Sequence, residues 1–177
     1  MNIEMDLRKR IAELEAENIA LRQRLRSLEP LAGVTAEAYV AELVGGTLTP
    51  GLAPHDITGS GGTKFEVKFS RLNIPMKNSS CRRWSWGHPL GFGGAKTFDH
   101  LILVAEPDPR FGTVYHDPRS PYVIFAIPFE SISTVMRKEP LIQITTNPNR
   151  AHGQTAKLMF DQYYVTSDEL RKRHNAT

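Results

Sequence analysis

The chain of 177 residues contains one cysteine, which excludes an internal disulfide and a cysteine-based zinc cluster. No apolar run approaches the ~20 residues that a membrane helix needs, and the charged N-terminus does not resemble a secretory signal. Both absences point to a cytoplasmic protein with no membrane partner. The six histidines show no metal-ligand spacing, and there is no internal repeat. Positive charge is missing from residues 31–59, which hold Glu37, Glu42 and Asp56 but no Lys or Arg. Residues 60–100 reverse that deficit, with Lys64, Lys68, Arg71, Lys77, Arg82, Arg83 and Lys96 against Glu66 and Asp99. The formal net charge is only +3, so the distribution is more informative than the total. An acidic pocket beside a basic stretch suits a metal site next to a polyanion.

The N-terminal segment is patterned. Leu7, Leu14, Leu21 and Leu28 recur with heptad spacing, and Ile11, Asn18 and Leu25 fill the alternate positions. This is a coiled-coil pattern with leucine at each d position and Ile, Asn and Leu at a. A single Asn at an a position fixes register and favours two parallel strands. In such a pair Arg10 would meet Glu15 of the second copy, Glu17 would meet Arg22 and Arg24 would meet Glu29, all with opposite charge. The residues before Leu7 include Glu4 and Asp6, so the basic helix that reads DNA in basic-zipper proteins is missing. The segment is expected to make a homodimer and not to read DNA. Pro30 is expected to stop the helix. The chain then divides into a dimerisation segment, 1–30, and a domain, 31–177, long enough to bury a core.

The chemistry is concentrated around residue 60. Pro54-His55-Asp56-Ile57 is followed by the loop Gly59-Ser60-Gly61-Gly62 and then by Lys64-Phe65-Glu66-Val67-Lys68-Phe69. A Gly-rich loop between two such runs predicts a β-hairpin. Side chains alternate along a strand, so Phe65, Val67 and Phe69 share a core face while Lys64, Glu66 and Lys68 share the other. The hairpin would return Asp56 to Glu66. Two carboxylates and an ammonium on one spot suit a hard divalent cation and a phosphate, although a solvated Glu/Lys face would read the same way.

The pattern Asp56, hairpin, Glu66-x-Lys68 resembles the PD-(D/E)xK nuclease superfamily over residues 33–105. The proline of the motif would be Pro54, displaced by one residue with His55 intervening. The resemblance implies an α/β fold with a restriction endonuclease-like core, in which a mixed β-sheet is flanked by helices. Here the parallel coiled-coil helix would precede it. It also implies an Mg²⁺-dependent endonuclease in which Asp56, Glu66 and the Val67 carbonyl hold the metal, with Mn²⁺ able to substitute, and in which Lys68 is catalytic. A glutamate on the first helix of that family often joins the site. A helix is predicted over 36–44, capped by Thr35 and ended by Gly45-Gly46. On it Glu37 shares a face with Val40, Ala41 and Val44 and is the first choice for that role, with Glu42 in reserve. Glu37 could equally serve only the start of the helix.

Residues 71–98 read as a long functional loop. Its Arg82-Arg83-Trp84-Ser85-Trp86 centre suits phosphate contact and stacking. Lys64, Arg71, Lys77, Arg82, Arg83, Trp84 and Lys96 are the candidate DNA-binding residues, with one tryptophan expected in the core. The run Gly91 to Thr97 lacks both glycines that a phosphate loop requires, so no nucleotide cofactor is expected. Further strands are expected over 101–105, 122–127, 141–145 and 157–165, with a helix over 130–137. His100 is expected to be structural. Thr166 and Glu169 form a capping box for a last helix. A restriction-type enzyme cutting a palindrome fits a symmetric dimer. A Holliday-junction resolvase is the enzymatic rival, and a non-catalytic DNA-binding or assembly module is the alternative of a different class.

Overall fold

The computed structural model describes residues 10, 11, 13, 14, 17, 29–51, 53–73, 82–111, 117, 120–136, 140–147 and 154–175. The chain divides into two units, Met1–Val34 and Thr35–Thr177. In the first, Arg10, Ile11, Glu13, Leu14 and Glu17 are helical. Ile11 and Leu14, an a and a d residue, are 56% and 48% exposed in the single chain. Arg10 pairs with Glu13 of its own chain at 3.2 Å, an exposed contact of little energetic weight. The other heptad residues, Leu7, Asn18, Leu21, Leu25 and Leu28, lie outside the described residues, as does Lys77.

The second unit is a mixed α/β domain; the first six residues of its leading helix, 29–34, count with the first unit. In chain order the elements are α1 (Glu29–Leu43), β1 (Thr47–Leu48), β2 (Ile57–Thr58), β3 (Lys64–Ser70), β4 (Arg83–Gly87), β5 (His100–Ala105), β6 (Val123–Pro128), α2 (Ile132–Val135), β7 (Leu141–Thr145), α3 (Gln154–Leu158), β8 (Tyr164–Val165) and α4 (Ser167–Asn175). The main sheet has the order β1-β2-β3-β5-β6-β8. Its β3–β5 pair is parallel and its other pairs are antiparallel. β4 and β7 form a separate antiparallel ribbon.

Period-two alternation along the central strands builds two cores. Leu101, Leu103, Phe125 and Ile127 face one side, where the ribbon's Trp84 and Trp86 cover them with Ile132, Val135 and Met159. Ile102, Val104, Ile124 and Ala126 face the other, against Phe65, Val67, the α1 residues Ala36 and Val40, Val44 just after α1, and Leu170 of α4. The sheet is thus flanked by helices on both faces. No helix among the described residues is long and apolar enough to cross a membrane.

Helix α1 ends where expected. Gly45 takes φ 58°, the Gly46 N–H donates to the Ala41 carbonyl at 2.8 Å and the Gly45 N–H donates to that of Glu42 at 3.4 Å, which is a Schellman closure. A Cβ on Gly46 would stand 2.7 Å from the Thr58 carbonyl, so the close approach of β2 also requires glycine there. The start differs from expectation. Thr35 is inside the helix and not at its start, and Pro30 lies in the first turn of α1; the residues just before it, where the N-terminal helix is expected to end, lie outside the described residues. Proline is tolerated in a first turn because its missing N–H would have no helical partner there.

Three other sequence expectations are corrected. Residues 71–98 are not one loop, because they contain β4 and its pairing with β7. The helix expected over 130–137 is a short 3₁₀ turn, Phe129–Ser131, followed by α2. The strand expected over 157–165 is mostly helical: α3 runs into a π-turn, Met159–Tyr163, and only Tyr164–Val165 is extended. Its buried residues, Ala156, Met159 and Tyr163, follow helical spacing, which outweighs the apolar composition. The strands expected over 101–105 and 141–145 are present. So is the last capping box, with Thr166 N–H on Glu169 Oε2 at 2.8 Å and Glu169 N–H on Thr166 Oγ1 at 3.2 Å.

Candidate active site

The hairpin between β2 and β3 forms in the register Ile57↔Phe65 and Thr58↔Lys64. Gly59 N–H donates to the Thr63 carbonyl at 2.8 Å and closes the loop. Asp56 sits just before β2, its own N–H on the Phe65 carbonyl at 2.9 Å. Its Oδ2 accepts the Val67 N–H at 2.8 Å. That bond pins the carboxylate against β3 and leaves Oδ1 for another partner. His55 turns aside, with Nε2 2.9 Å from Thr58 Oγ1.

Glu66 points away from the Phe65 and Val67 face, yet its side chain is 0% exposed. A buried carboxylate must be paired. Lys68 Nζ donates to Glu66 Oε1 at 2.5 Å. The second partner is Lys96, whose Nζ donates to Glu66 Oε2 at 2.9 Å and to Asp56 Oδ1 at 3.1 Å. Two carboxylates are therefore balanced by two ammoniums, and one of those ammoniums bridges both acids. Burial alone would lower the Lys96 pKa, but the hydrogen bonds and negative charges of Glu66 and Asp56 outweigh it and hold it above the ordinary lysine value.

Glu37 is half-buried on α1. Burial first, then the charge of Asp56, holds its carboxyl above the usual range, with Lys68 and Lys96 opposing and Glu66 adding to the rise. The first-choice glutamate thus lies in the electrostatic field of the cluster, whereas Glu42 is exposed. Val67, expected to offer its carbonyl, uses its N–H on Asp56 and buries its side chain in the core.

The structure disperses several candidate DNA-binding residues. Trp84 is not a surface stacker: it is 0% exposed, and its indole N–H donates to the Glu106 carbonyl at 2.8 Å. Trp86 is buried likewise, with its indole on the Val104 carbonyl at 3.0 Å, so both tryptophans are core. Arg82 points to the buried Asp108 at 3.3 Å. Arg83 and Lys64 are exposed, and Arg71 is partly so. His100, half-buried, stacks on Phe65 at 5.8 Å and meets His174 at 5.1 Å. Burial lowers both histidine pKa values.

Lys96 is the site residue that sequence reasoning placed elsewhere, among the DNA contacts. No spacing rule links it to Glu66. The join is made by tertiary bonds: Thr97 N–H donates to the Pro54 carbonyl and Asp99 N–H to the Lys64 carbonyl, each at 2.9 Å. These lay the segment before β5 alongside the hairpin. A cavity of about 240 Å³ opens next to it, lined by Lys64, Lys96, Thr97, Phe98, Asp99 and Phe129.

Among the described residues, no group of three His, Cys, Asp or Glu side chains is arranged to hold a metal by itself. Mg²⁺, however, commonly takes one or two carboxylates and completes its shell with water and substrate phosphate. Asp56 Oδ1 and Glu66 Oε2 already bracket one cation, the Lys96 ammonium. This donor pair suits an ion bound together with an anionic substrate better than an all-protein cage. A scan against protein-family models finds no match to this chain, and a search of curated proteins finds none.

Proposed function

We propose that the protein is a Mg²⁺-dependent DNA endonuclease with a restriction endonuclease-like core of the PD-(D/E)xK kind. The observation that carries this reading is the convergence of Asp56 Oδ1 and Glu66 Oε2 on one cation position, with the Lys68 ammonium on the other oxygen of Glu66. Asp56 and Glu66 hold the ion, aided by the Val67 carbonyl and by Glu37 directly or through water. When bound, the ion supplies a water of lowered pKa and charge neutralisation at the scissile phosphate. Lys68 orients the attacking water and stabilises the charge that grows on the phosphate oxygens. Lys64 and Arg83, both exposed, are the foremost backbone-phosphate contacts, with the partly exposed Arg71 as a further one.

The exposed Ile11 and Leu14 support a coiled-coil homodimer, which would bring two active sites to one duplex. That symmetry favours restriction-type double-strand cutting over junction resolution. One observation favours a non-catalytic DNA-binding module instead: an ammonium already fills the cation position. Supercoiled plasmid incubated with Mg²⁺ decides between these classes. Nicking or linearisation is expected, and intact plasmid under all metal conditions would remove the nuclease reading. Fixed ends on linear DNA would mark restriction, and cutting of branched DNA alone would mark resolution. Deleting residues 1–28 is expected to lower the mass seen by light scattering. It should also shift the product from double-strand breaks to nicks, because two sites no longer arrive together.

A further inference from the structure

Lys96 is held in place by a purpose-built turn. Gly91 has φ 74°, and a Cβ there would lie 2.6 Å from Lys96 Cγ. The missing side chain at Gly91 is what admits the aliphatic stem of the lysine. The Lys96 N–H returns to the Leu90 carbonyl at 3.3 Å, and the Gly91 N–H to that of His88 at 2.8 Å. Between them Gly93 and Gly94 take φ 70° and 73° with open space around them, and Phe92 is 81% exposed. The stem end of the loop is fitted, and its tip is exposed. The ammonium ends on the two oxygens best placed to receive a divalent ion.

We infer that Lys96 is a built-in counter-cation: its ammonium and a divalent ion compete for Asp56 Oδ1 and Glu66 Oε2, so the ion binds by displacing the lysine. This rests on the reading that the two carboxylates form a metal site, and it adds how that site is kept closed. A lysine is suited to the part, being a compact point charge on a flexible stem. The carboxylates would stay balanced while no ion is present, which a buried Glu66 requires. The cavity that Lys96 lines with Lys64 offers the displaced side chain room. Ammonium and ion cannot share both oxygens, because like charges at one carboxylate pair repel strongly away from bulk water.

The test is Mn²⁺ binding to the full-length protein by calorimetry, without DNA, for the unmodified chain, Lys96→Met and Lys96→Arg. Removing the competitor should tighten Mn²⁺ binding by about tenfold, within the usual range of coupling between competing ligands, while the arginine keeps affinity low. Gly91→Ala, which pushes on the lysine stem, should tighten binding in the same direction and serves if Lys96→Met is poorly folded. In the unmodified chain, Mn²⁺ should also speed tryptic release of the fragment ending at Lys96, since the side chain must leave the carboxylates to enter the protease. If Lys96→Met binds Mn²⁺ no more tightly than the unmodified chain, while that chain binds the ion and nicks plasmid, the competition is refuted and the nuclease reading survives. If neither protein binds Mn²⁺ at millimolar concentration, both fall.

Discussion

Two buried carboxylates in this domain, Asp108 and Glu66, each hold two cations, and they do so in opposite ways. Both side chains are 0% exposed. Asp108 receives Arg110 through Nε at 3.0 Å and through the guanidinium fork at 2.7 Å, Arg82 at 3.3 Å, the Thr146 hydroxyl at 2.7 Å and the Arg110 N–H at 3.1 Å. Burial would raise its pKa, but the Arg110 and Thr146 bonds hold it below the usual carboxylate range. Glu66 receives Lys68 and Lys96, with Lys96 shared with Asp56. Arginine is a permanently charged, rigid fork, whereas lysine is a movable point charge. The first arrangement is saturated and ties β7 to the segment after β5. The second has partners that can leave. On the proposed reading, the difference separates a structural ion cluster from a site that exchanges its cation.

The largest effect expected from breaking that contrast is on chemistry. Asp56→Ala and Lys68→Ala should each reduce DNA cleavage by at least ~100-fold, the scale of losing a central electrostatic group. DNA binding should change little, whereas thermal stability should fall, because Asp56→Ala leaves the buried Val67 N–H without its acceptor and Lys68→Ala leaves the buried Glu66 with one ammonium. Full cleavage by Asp56→Ala would move the active site elsewhere. Asp108→Asn should do the reverse. Leaving its arginines unmatched should cost about 1–3 kcal/mol in denaturant unfolding, with unchanged cleavage per folded molecule. The acid limb should report it too. A depressed carboxyl contributes stability above its ordinary 3.8 that is lost as pH falls through its folded value, and Asp108→Asn removes that dependence.

The smallest effect sharpens the comparison at its edge. Glu37, raised in the folded state from an ordinary 4.5, favours folding below that pH and opposes it as pH rises through the folded value. Glu37→Gln should therefore raise the melting temperature slightly at pH 7 and not below pH 4.5. If Glu37 belongs to the metal site, the same substitution also weakens Mg²⁺ dependence of the rate. Glu42→Gln, at an exposed position, should do neither, and a larger effect there would show that the wrong acid was chosen.

The hairpin was legible in sequence because every signal for it is local. A Gly-rich loop fixes the turn and period two fixes the faces, so Phe65 and Val67 enter the core while Glu66 and Lys68 turn from it. The same locality made the last capping box and the buried β5 readable. The errors came where local patterns compete or are silent. Residues 157–165 are apolar enough for a strand, and only the spacing of Met159 and Tyr163 betrays the helical turn. Thr35 is as good a cap as any threonine, but α1 packing extends from Ala36 and the helix begins earlier. Trp84 and Trp86 sit among arginines in sequence, yet the ribbon with β7 turns both inward.

By itself, then, the sequence determined which acids and which lysine share the hairpin, because strand alternation and turn chemistry act within a few residues. The tertiary structure alone decided that Lys96 completes the cluster. That contact spans 30 residues and depends on backbone bonds from Thr97 to Pro54 and from Asp99 to Lys64. Only the assembled sheet, with β5 laid parallel to β3, brings an ammonium from the connection before β5 onto the carboxylates of the hairpin.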